Sequence, residues 1–584
     1  MLVVAGPILY MPGTMHPFSS PKLAALGLAI GLFALSLWSE RSTPLSRPTL
    51  WLLAGLLLFG SLSFLRTESV SLSFWGVEDF EMGGFVMLLG LAAFLLGAYS
   101  YPLLDTQPWI RNALVLPAIL LGAAIVPWLL GLLPDYFQGT RLSLSLGNPI
   151  HLGAYAAAIL VFSVAVLPVA SPRSRVFLAV AALSSVGLLM ASQSRGGLLG
   201  AGVALLLLLG SSGKLRPSAK RIRLLKVVAL VGAAGVVFTL LWLTVPRIID
   251  FDLGGESVRL SLLSTAVGAL PDSLVTGSGP ATFKLHHLAQ LTPSEVTFLY
   301  KVSKPVPSHA HNWLLEYSVT YGVPFALLFT LLLTLPGRHL RSSTRMQRGA
   351  YCGSIAIATA GLFNPMSIPT LTLLLLLLGY SSVRQHSSAP LTATTPTRPR
   401  RRAVQHVALT AVGILILSQS AIFLYVDERA KTYSVQGNGQ KLERVASLLV
   451  PGRPSLFTAA GQAFAFDGRF RRRPDLAERV DEVFAKAVSL DSKDVTTLMS
   501  WGVALQILDR HREAISKFES ALELVPGWPV AERSMAYSYS ELGDREQAAA
   551  ILRGTLMRHP YDRPTWQLFR LVSYEQPALL GIRG

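Results

Sequence analysis

The chain has 584 residues, of which 51% are hydrophobic and 14% are charged, and its formal net charge is +18. Soluble domains carry roughly a quarter charged residues, so the composition excludes a wholly soluble protein and indicates that lipid surrounds much of the chain. The positive charge does not indicate nucleic-acid binding, because the basic residues cluster in short loops between apolar runs, as they do in membrane proteins. The single cysteine, Cys352, excludes a disulfide framework and a cysteine metal cluster.

Apolar runs near the length that crosses a bilayer, roughly 17–25 residues, fill the sequence from residue 22 to residue 426. They lie near 22–38, 50–65, 82–104, 112–133, 152–170, 176–192, 195–210, 225–246, 313–335, 350–363, 367–380 and 404–426. The stretch 2–12 is apolar but too short to span alone, and whether it belongs to a further helix stays open. We predict an all-α fold in which residues 1–426 form a polytopic bundle of about 12 transmembrane helices.

Charge alternates from one connection to the next. Short cytoplasmic loops are rich in Lys and Arg, and the basic connections here include 211–226, 336–349 and 381–403. The connection 66–81 is acidic instead, and alternation places it on the opposite side together with the long loop 247–312. We therefore predict that 247–312 and the charged tail, residues 427–584, are extracytoplasmic.

The tail repeats itself with a period of 34 residues. Gly502, Ala514 and Pro526 recur as Ala536, Ala548 and Pro560. This period, with small residues at helix contacts and a closing proline, is typical of tetratricopeptide repeats. We also predict a degraded repeat before them, at about 461–494, because at least about three stacked units are usually needed to bury a continuous core. We predict a soluble α-solenoid that gathers a protein acceptor or partner. A structural cap that only packs on the outer loop, and an unrelated helical bundle, are the alternatives.

The first candidate site is the segment Ser192–Gly197, which opens the seventh apolar run. Arg195 stands at the start of a predicted helix and two glycines follow it. Free amide groups and the helix dipole favour an anion there, and glycine allows a ligand to approach the backbone. An arginine that only marks the membrane boundary is the alternative.

The second candidate site is in the outer loop. Val258, Leu262, Leu263, Ala266 and Leu270 recur at helical spacing and predict an amphipathic helix that carries Arg259. A Gly-Ser-Gly-Pro turn at 277–280 follows this helix. A surface arginine on a solvated helix is the alternative interpretation.

The third candidate site is His309-Ala310-His311-Asn312, directly before the ninth apolar run. A histidine at the boundary between water and membrane can take up a proton near neutral pH, and Asn312 is a candidate N-cap. A metal site would need further ligands, which His286 and His287 do not convincingly supply. Interfacial histidines without a role are the remaining alternative.

In combination, these motifs resemble the O-antigen ligase family, which includes lipid A core ligases, O-antigen polymerases and protein O-oligosaccharyltransferases. The resemblance rests on Ser194-Arg195-Gly196 at a helix start, on Arg259 ahead of a Thr-Gly-x-Gly turn, and on His311-Asn312 followed by Gly322. It covers roughly residues 185–380. Val323-Pro324-Phe325 departs from the family pattern, and the proline is expected to kink its helix near the start.

The resemblance implies a metal-independent, inverting glycosyltransferase without a cofactor, on the outer face of a bacterial inner membrane, in lipopolysaccharide or polysaccharide assembly. Its donor would be a glycan on undecaprenyl diphosphate. Arg195 and Arg259 would bind the diphosphate, since arginine matches paired oxygens bidentately. His311 would be the general base, with His309 and Asn312 as second-rank candidates. The acceptor hydroxyl, on lipid A core, a glycan or a protein, stays open.

Two rival classes share some of these features. A transporter of lipid-linked glycans would place ionisable groups within the membrane, whereas the predicted spans carry almost none apart from Glu316. A membrane-anchored scaffold would explain the repeats but gives no reason for the set of Arg195, Arg259 and His311.

Overall fold

The computed structural model describes residues 6–36, 45–76, 83–134, 141–211, 253–301, 307–383, 399–471 and 473–573. Within these ranges the regular structure is helical and contains no strand, which confirms the predicted all-α class. The helices up to the tail are α1 (Ser20–Ser36), α2 (Arg47–Ser63), α3 (Val70–Trp75), α4 (Gly84–Tyr99), α5 (Tyr101–Thr106), α6 (Pro108–Ala123), α7 (Ile125–Leu129), α8 (Pro149–Val166), α9 (Pro172–Ser192), α10 (Arg195–Ser211), α11 (Leu253–Ser273), α12 (Phe283–Leu288), α13 (Pro293–Lys301), α14 (Trp313–Thr320), α15 (Val323–Thr334), α16 (Arg345–Gly361), α17 (Ile368–Ser381) and α18 (Pro399–Val435). The tail contains α19 (Gly439–Ala446), α20 (Pro454–Phe470), α21 (Pro474–Leu490), α22 (Val495–Ile507), α23 (His511–Leu524), α24 (Pro529–Glu541), α25 (Arg545–Arg558) and α26 (Arg563–Ser573).

Among the described residues, five helices are long and apolar enough to cross a membrane by length and composition. They are Arg47–Arg66, Pro108–Leu129, Pro149–Val169, Pro172–Ser192 and Thr410–Val435. Shorter apolar helices occupy other predicted runs, including α1, α4, α10 and α17. The run near 225–246 lies outside the described residues, so the count of about twelve spans stays a prediction.

The predicted run 313–335 is wrong as a single helix, because the chain breaks at Gly322 into α14 and α15. Gly322 has a φ of +93°, a conformation that side chains other than glycine rarely adopt. A Cβ atom at this position would also overlap the carbonyl of Val275. Pro324 lies in the first turn of α15, where a proline is tolerated, so it helps the new helix begin instead of kinking a longer one.

Small residues bring the membrane helices into close contact. A Cβ atom added at Gly90 on α4 would lie 2.9 Å from a methyl carbon of Leu375 on α17. A Cβ atom added at Gly413 on α18 would lie 3.1 Å from the carbonyl oxygen of Gly31 on α1. Small residues at helix contacts are a general device of membrane bundles, where van der Waals packing replaces the hydrophobic effect as the attraction between helices.

Helices of the tail repeat at the predicted interval. α22 and α24 begin at Val495 and Pro529, and α23 and α25 begin at His511 and Arg545, so both steps are 34 residues. The recurring small residues, including Ala514 and Ala548, are fully buried between the helices. Together with α20 and α21, these helices form stacked antiparallel pairs, which we call the array. Its assignment to the tetratricopeptide class stays a prediction.

Hydrogen bonds fasten the array to the connections that charge alternation places outside. The indole Nε1 of Trp75 donates to the carbonyl of Pro451 at 2.7 Å, and the Ser69 hydroxyl donates to the carbonyl of Leu490 at 2.9 Å. At another point, the Tyr300 hydroxyl on α13 donates to the Asp562 carboxylate at 2.8 Å. The array therefore lies on the side of the protein that carries the connection 66–81 and the loop 247–312.

A buried ionic cluster holds the base of the array. The carboxylate of Asp427, on α18, is 1% exposed and lies 2.9 Å from His16 Nδ1 and 3.6 Å from Arg453 Nη1. The Ser20 hydroxyl donates to the same carboxylate at 2.7 Å. α18 runs unbroken through the predicted domain boundary at 426 and 427, so the membrane part continues into the tail as one helix up to Val435.

Cysteine labelling tests the predicted orientation. Ser273 is buried, so the suitable positions are the exposed Ala289, in the outer loop directly after α12, and the exposed Ser492, between α21 and α22. We expect cysteines at both positions to react with an impermeant thiol reagent in intact spheroplasts. A cysteine at the exposed Ser342, in a basic connection, should react only after the membrane is opened. The reverse pattern would contradict the orientation and the function proposed below.

Candidate functional site

The loop before Arg195 ends in a helix cap. The Ser194 hydroxyl accepts a hydrogen bond from the amide of Gly197 at 3.1 Å, so Ser194 is the N-cap and Arg195 is the first residue of α10. This confirms that Arg195 stands at a helix start, where amide groups and the helix dipole favour an anion. Arg195 is half-buried, and its role in anion binding stays a prediction.

Arg141 holds the same loop from the neighbouring connection. Its Nε donates to the carbonyl of Ser192 at 3.0 Å, and its Nη2 donates to the carbonyl of Gln193 at 3.3 Å. These carbonyls end α9, where a cation is favourable, and Gln193 has an unusual φ of +49°. No motif in the sequence pointed to Arg141, although it is the only basic residue in the connection 134–149.

Glycines allow the start of α10 to fit between two other helices. A Cβ atom at Gly197 would lie 2.7 Å from the backbone of Gly153 on α8. One at Gly196 would lie 3.0 Å from the Asn364 side-chain nitrogen and 3.2 Å from the carbonyl of Ala360 at the end of α16. The glycines after Arg195 therefore have a packing role, which the interpretation as an open ligand surface did not include.

Replacing Gly197 by alanine should destabilise the protein, because backbone atoms of α8 have nowhere to move. Overpacking of this kind typically costs about 1–3 kcal/mol. Gly210→Ala is the matched control, since nothing lies within 4 Å of its Cβ position on the same helix, and alanine there should stabilise the helix by up to about 1 kcal/mol. Thermal unfolding of both variants in detergent measures the difference. Equal melting temperatures would contradict this account of the packing.

The third motif begins α14 as predicted. The side-chain oxygen of Asn312 accepts hydrogen bonds from the amides of Leu314 at 2.9 Å and Leu315 at 3.1 Å, which confirms it as the N-cap. His311, directly before it, is half-buried and has a φ of +52°. His309 is buried instead of lying at an open interface. His311 is thus the more accessible of the two candidate bases.

Glu316, on α14, holds the loop that carries His309 and His311. The Glu316 carboxylate is 1% exposed; its Oε2 accepts a hydrogen bond from the amide of Ala310 at 2.7 Å, and its Oε1 lies 3.9 Å from His309 Nδ1. A buried carboxylate is costly unless it is paired and hydrogen-bonded, so these contacts fix the backbone on both sides of Ala310. The sequence showed Glu316 only as a rare acid near the end of a span.

Arg259 lies on α11, whose buried face packs against the third motif. Leu262 and Ala266 form one cluster with Ala310 and Val319. The predicted apolar stripe is wrong at Leu263, which is 39% exposed. A second apolar face of α11 points outward, and its exposed members are Leu260, Leu263 and Val267. The helix is therefore apolar on two sides, as expected for a helix between protein and lipid.

The Gly-Ser-Gly-Pro turn joins the second motif to Gly322. The amides of Ser278 and Gly279 donate to the carbonyls of Val319 and Thr320, each at 3.0 Å. The amide of Val323 donates in return to the carbonyl of Leu274 at 3.0 Å. This reciprocal pairing explains why the turn at 277–280 and Gly322, which are distant in sequence, belong to the same set of motifs.

All three motifs lie at one end of the bundle. The indole of Trp313, next to Asn312, donates to the carbonyl of Ala358 on the last turn of α16 at 2.9 Å. The same end of α16 contacts the start of α10 through Ala360, as described above. α11 packs on α14 in turn, so α10, α16, α14 and α11 contact one another in that order.

Left-handed backbone conformations concentrate at this point. Among the described residues, the non-glycine residues with positive φ are Leu144, Gln193, Ala281, His311 and Asp509. Three of them, Gln193, Ala281 and His311, lie in or directly beside the three motif loops, and Leu144 is three residues after Arg141. Each such residue costs about 1–3 kcal/mol and persists where the surroundings determine it, most often at functional sites.

Other histidines of the outer loop do not complete a metal site. His287 is buried, and its Nδ1 lies 3.2 Å from the Thr265 hydroxyl. Burial lowers the pKa of His286 and His287 below the usual value, so both are neutral near pH 7. Within the described ranges, no three His, Cys, Asp or Glu side chains are grouped so that they could hold a metal ion.

The fold and this site define a class: a multi-pass, all-helical membrane protein with an arginine- and histidine-bearing site at one end of its bundle. Residues 178–330 match the family model described as O-antigen ligase, so this region is an O-antigen ligase domain. The matched region contains Arg195, Arg259, His311 and Gly322. Comparison with the curated proteins gives no match.

Proposed function

We propose that the protein transfers a glycan from undecaprenyl diphosphate to an acceptor hydroxyl on the outer face of a bacterial inner membrane. The observation that carries this proposal is the meeting of the three motifs within the O-antigen ligase domain, each on a loop or helix that the packing holds in place. In this proposal, Arg195 and Arg259 supply the charges and His311 supplies the base that such a transfer needs.

The chemistry follows from these groups. The acceptor hydroxyl attacks the anomeric carbon of the donor, His311 takes the hydroxyl proton, and the bond from that carbon to the diphosphate breaks with its electron pair on the leaving group. Arg195 and Arg259 stabilise the charge that develops on the diphosphate. Attack opposite the leaving group inverts the anomeric centre, and no metal takes part.

Second-rank roles belong to His309 and Asn312. Asn312 positions His311 by fixing the start of α14. His309 is buried beside Glu316, so it supports the loop and stays the alternative base. Glu316 is a positioning residue that holds the His309–Ala310 segment through the Ala310 amide.

The outward face of α11 suits a lipid-linked donor. Its exposed leucine and valine side chains continue along the helix that carries Arg259. A polyprenyl chain lying on this face would keep its diphosphate beside the helix. Apolar contact of this kind is favourable by roughly 25 cal/mol per Å² of buried surface.

An O-antigen or polysaccharide polymerase and a protein O-oligosaccharyltransferase would use the same chemistry with different acceptors. The array favours a protein partner, because repeat arrays offer concave surfaces for binding and this one is fastened to the outer connections. Recruitment by the array would raise the local concentration of an acceptor near the site.

A transfer assay tests the proposal and separates it from the rival classes. The full-length protein in proteoliposomes receives undecaprenyl-diphosphate-linked glycan with lipid A core, a free glycan or a serine-containing peptide as acceptor. We expect a new glycosidic bond of inverted configuration with one acceptor class and no effect of a chelator. Movement of the donor across the membrane without a new bond would indicate a transporter, and neither result would indicate a scaffold.

A further inference from the structure

A cavity of about 840 Å³ lies between the array and the outer helices. Its volume is within the range of roughly 300–1,000 Å³ that ligand sites occupy. α12 and α13 line it on the membrane side, and the first helices of successive pairs, α20 and α22, line it on the array side. It is thus the concave surface of the array, closed by a second wall from the O-antigen ligase domain.

The cavity lining contains two patches of different polarity. Leu288, Leu291, Val296 and Leu299 form an aliphatic patch on the membrane side, where Lys284 and Tyr300 also line the cavity. Ser455, Thr458, Gln462, Thr496, Thr497 and Ser500 form a hydroxyl patch on the array side, where Val525, Trp528 and Val530 also line it. An occupant that contacts both patches is apolar on one side and hydrogen-bonding on the other.

Several charged groups of the cavity lining have partners within the protein. Arg453 lies 3.6 Å from Asp427, and Asp494 caps α22 by accepting from the amide of Thr496 at 3.2 Å. Burial, with Asp494 nearby, raises the pKa of Asp491 to about 6, while Lys284 acts in the opposite direction. A cavity with balanced charges favours an uncharged occupant over a phosphate or an acidic glycan.

We propose that this cavity binds an extended, uncharged peptide segment of a partner protein, rich in small apolar and hydroxyl side chains. Successive side chains of an extended segment point to opposite sides, so apolar ones contact the aliphatic patch and hydroxyl ones contact the hydroxyl patch. A saccharide presents hydroxyls on most sides, and those facing Leu291 and Leu299 would lack partners, which is costly.

The cavity leads to the candidate active site. Ser308 lines it, and the next residue along the chain is His309. A segment bound here would run beside the loop that holds His311, so its hydroxyl side chains are candidate acceptors. That last step rests on the proposed function, whereas binding of the peptide does not.

Binding is tested with the full-length protein in nanodiscs and fluorescein-labelled dodecapeptide pools. One pool is degenerate in Gly, Ala, Val, Ser and Thr; two others carry added Asp or added Lys; a labelled neutral dextran heptamer is the saccharide probe. Ser500→Trp and Gln462→Trp each fill the cavity from a different helix. Ser516→Trp is the matched control, because Ser516 is exposed on α23 and does not line the cavity.

We expect the neutral pool to bind most tightly, and each cavity-filling variant to raise its Kd at least tenfold while Ser516→Trp leaves it unchanged. Melting temperatures identify a cavity-filling variant that fails to fold. The Kd of the other cavity-filling variant then tests the proposal. No binding of the neutral pool, binding insensitive to both variants, or tighter binding of the dextran would overturn the proposal. His311→Ala should bind the pool normally, so a loss of transfer alone does not count against the peptide site.

Discussion

Alanine in place of Arg195, Arg259 or His311 is expected to reduce glycan transfer at least about a hundredfold, because each group acts on charge or a proton in the transition state. Arg195→Lys and Arg259→Lys should stay severely impaired, since lysine keeps the charge but loses the planar pair of donors. The measurement is the initial rate of transfer from undecaprenyl-diphosphate-linked glycan in proteoliposomes.

Matched controls come from a connection on the other side of the bundle. Arg341 and His339 are exposed in the basic connection 336–349, and Arg341→Ala and His339→Ala should transfer at the wild-type rate. Gel filtration of each variant in detergent shows whether it folds. Full activity in His311→Ala would contradict the role of His311 as general base and leave His309 as the candidate base. Inhibition by a chelator would contradict the metal-independent mechanism.

Glu316→Ala should reduce transfer by roughly tenfold to a hundredfold, since the Ala310 amide and His309 lose a buried partner worth about 1–3 kcal/mol. Glu316→Gln should recover much of the rate, because its amide oxygen can still accept from the Ala310 amide. This rescue distinguishes positioning by a hydrogen bond from a requirement for negative charge. If positioning is the role, the loss should appear in kcat more than in KM, because the loop is displaced and the diphosphate contacts remain.

Glu532→Ala is the control for loss of a hydrogen-bonded acid. The Glu532 carboxylate accepts from the Thr555 hydroxyl at 2.7 Å within the array, so its removal perturbs a fold contact away from the site. Transfer by this variant should match the wild type. Equal rates for Glu316→Ala and the wild type would show that the packing of Ala310 holds the loop without the carboxylate.

Local sequence patterns predicted the helices and caps of the site well. Asn312 is an N-cap, Arg195 begins a helix, and α9 and α10 divide where the glycines and serines indicated. These features depend on residues only a few positions apart, because a cap forms between a side chain and amides of the next turn. The same holds for the 34-residue interval of the tail helices, which follows from small residues at their contacts.

Local patterns failed where a distant backbone decided the conformation. The run 313–335 has continuous apolar character, yet it breaks at Gly322 because Leu274 and Val275 pair with that position. Arg141 gives no local sign of its partners, which are carbonyls at the end of α9. Contacts of this kind depend on how the helices pack, and the residue pattern within a single helix does not reveal them.

By itself, the sequence determined the membrane character, the all-α class, the helix starts at Arg195 and Asn312, and the resemblance to O-antigen ligases, since hydropathy, capping and motif order are properties of neighbouring residues. Only the tertiary structure decided that the first and third motifs meet at the end of α16 with α11 packed on α14, that Glu316 fixes the histidine loop, and that the array encloses a cavity with the ligase domain. The physical reason is that these features join residues far apart in the chain, and their geometry exists only once the helices have packed.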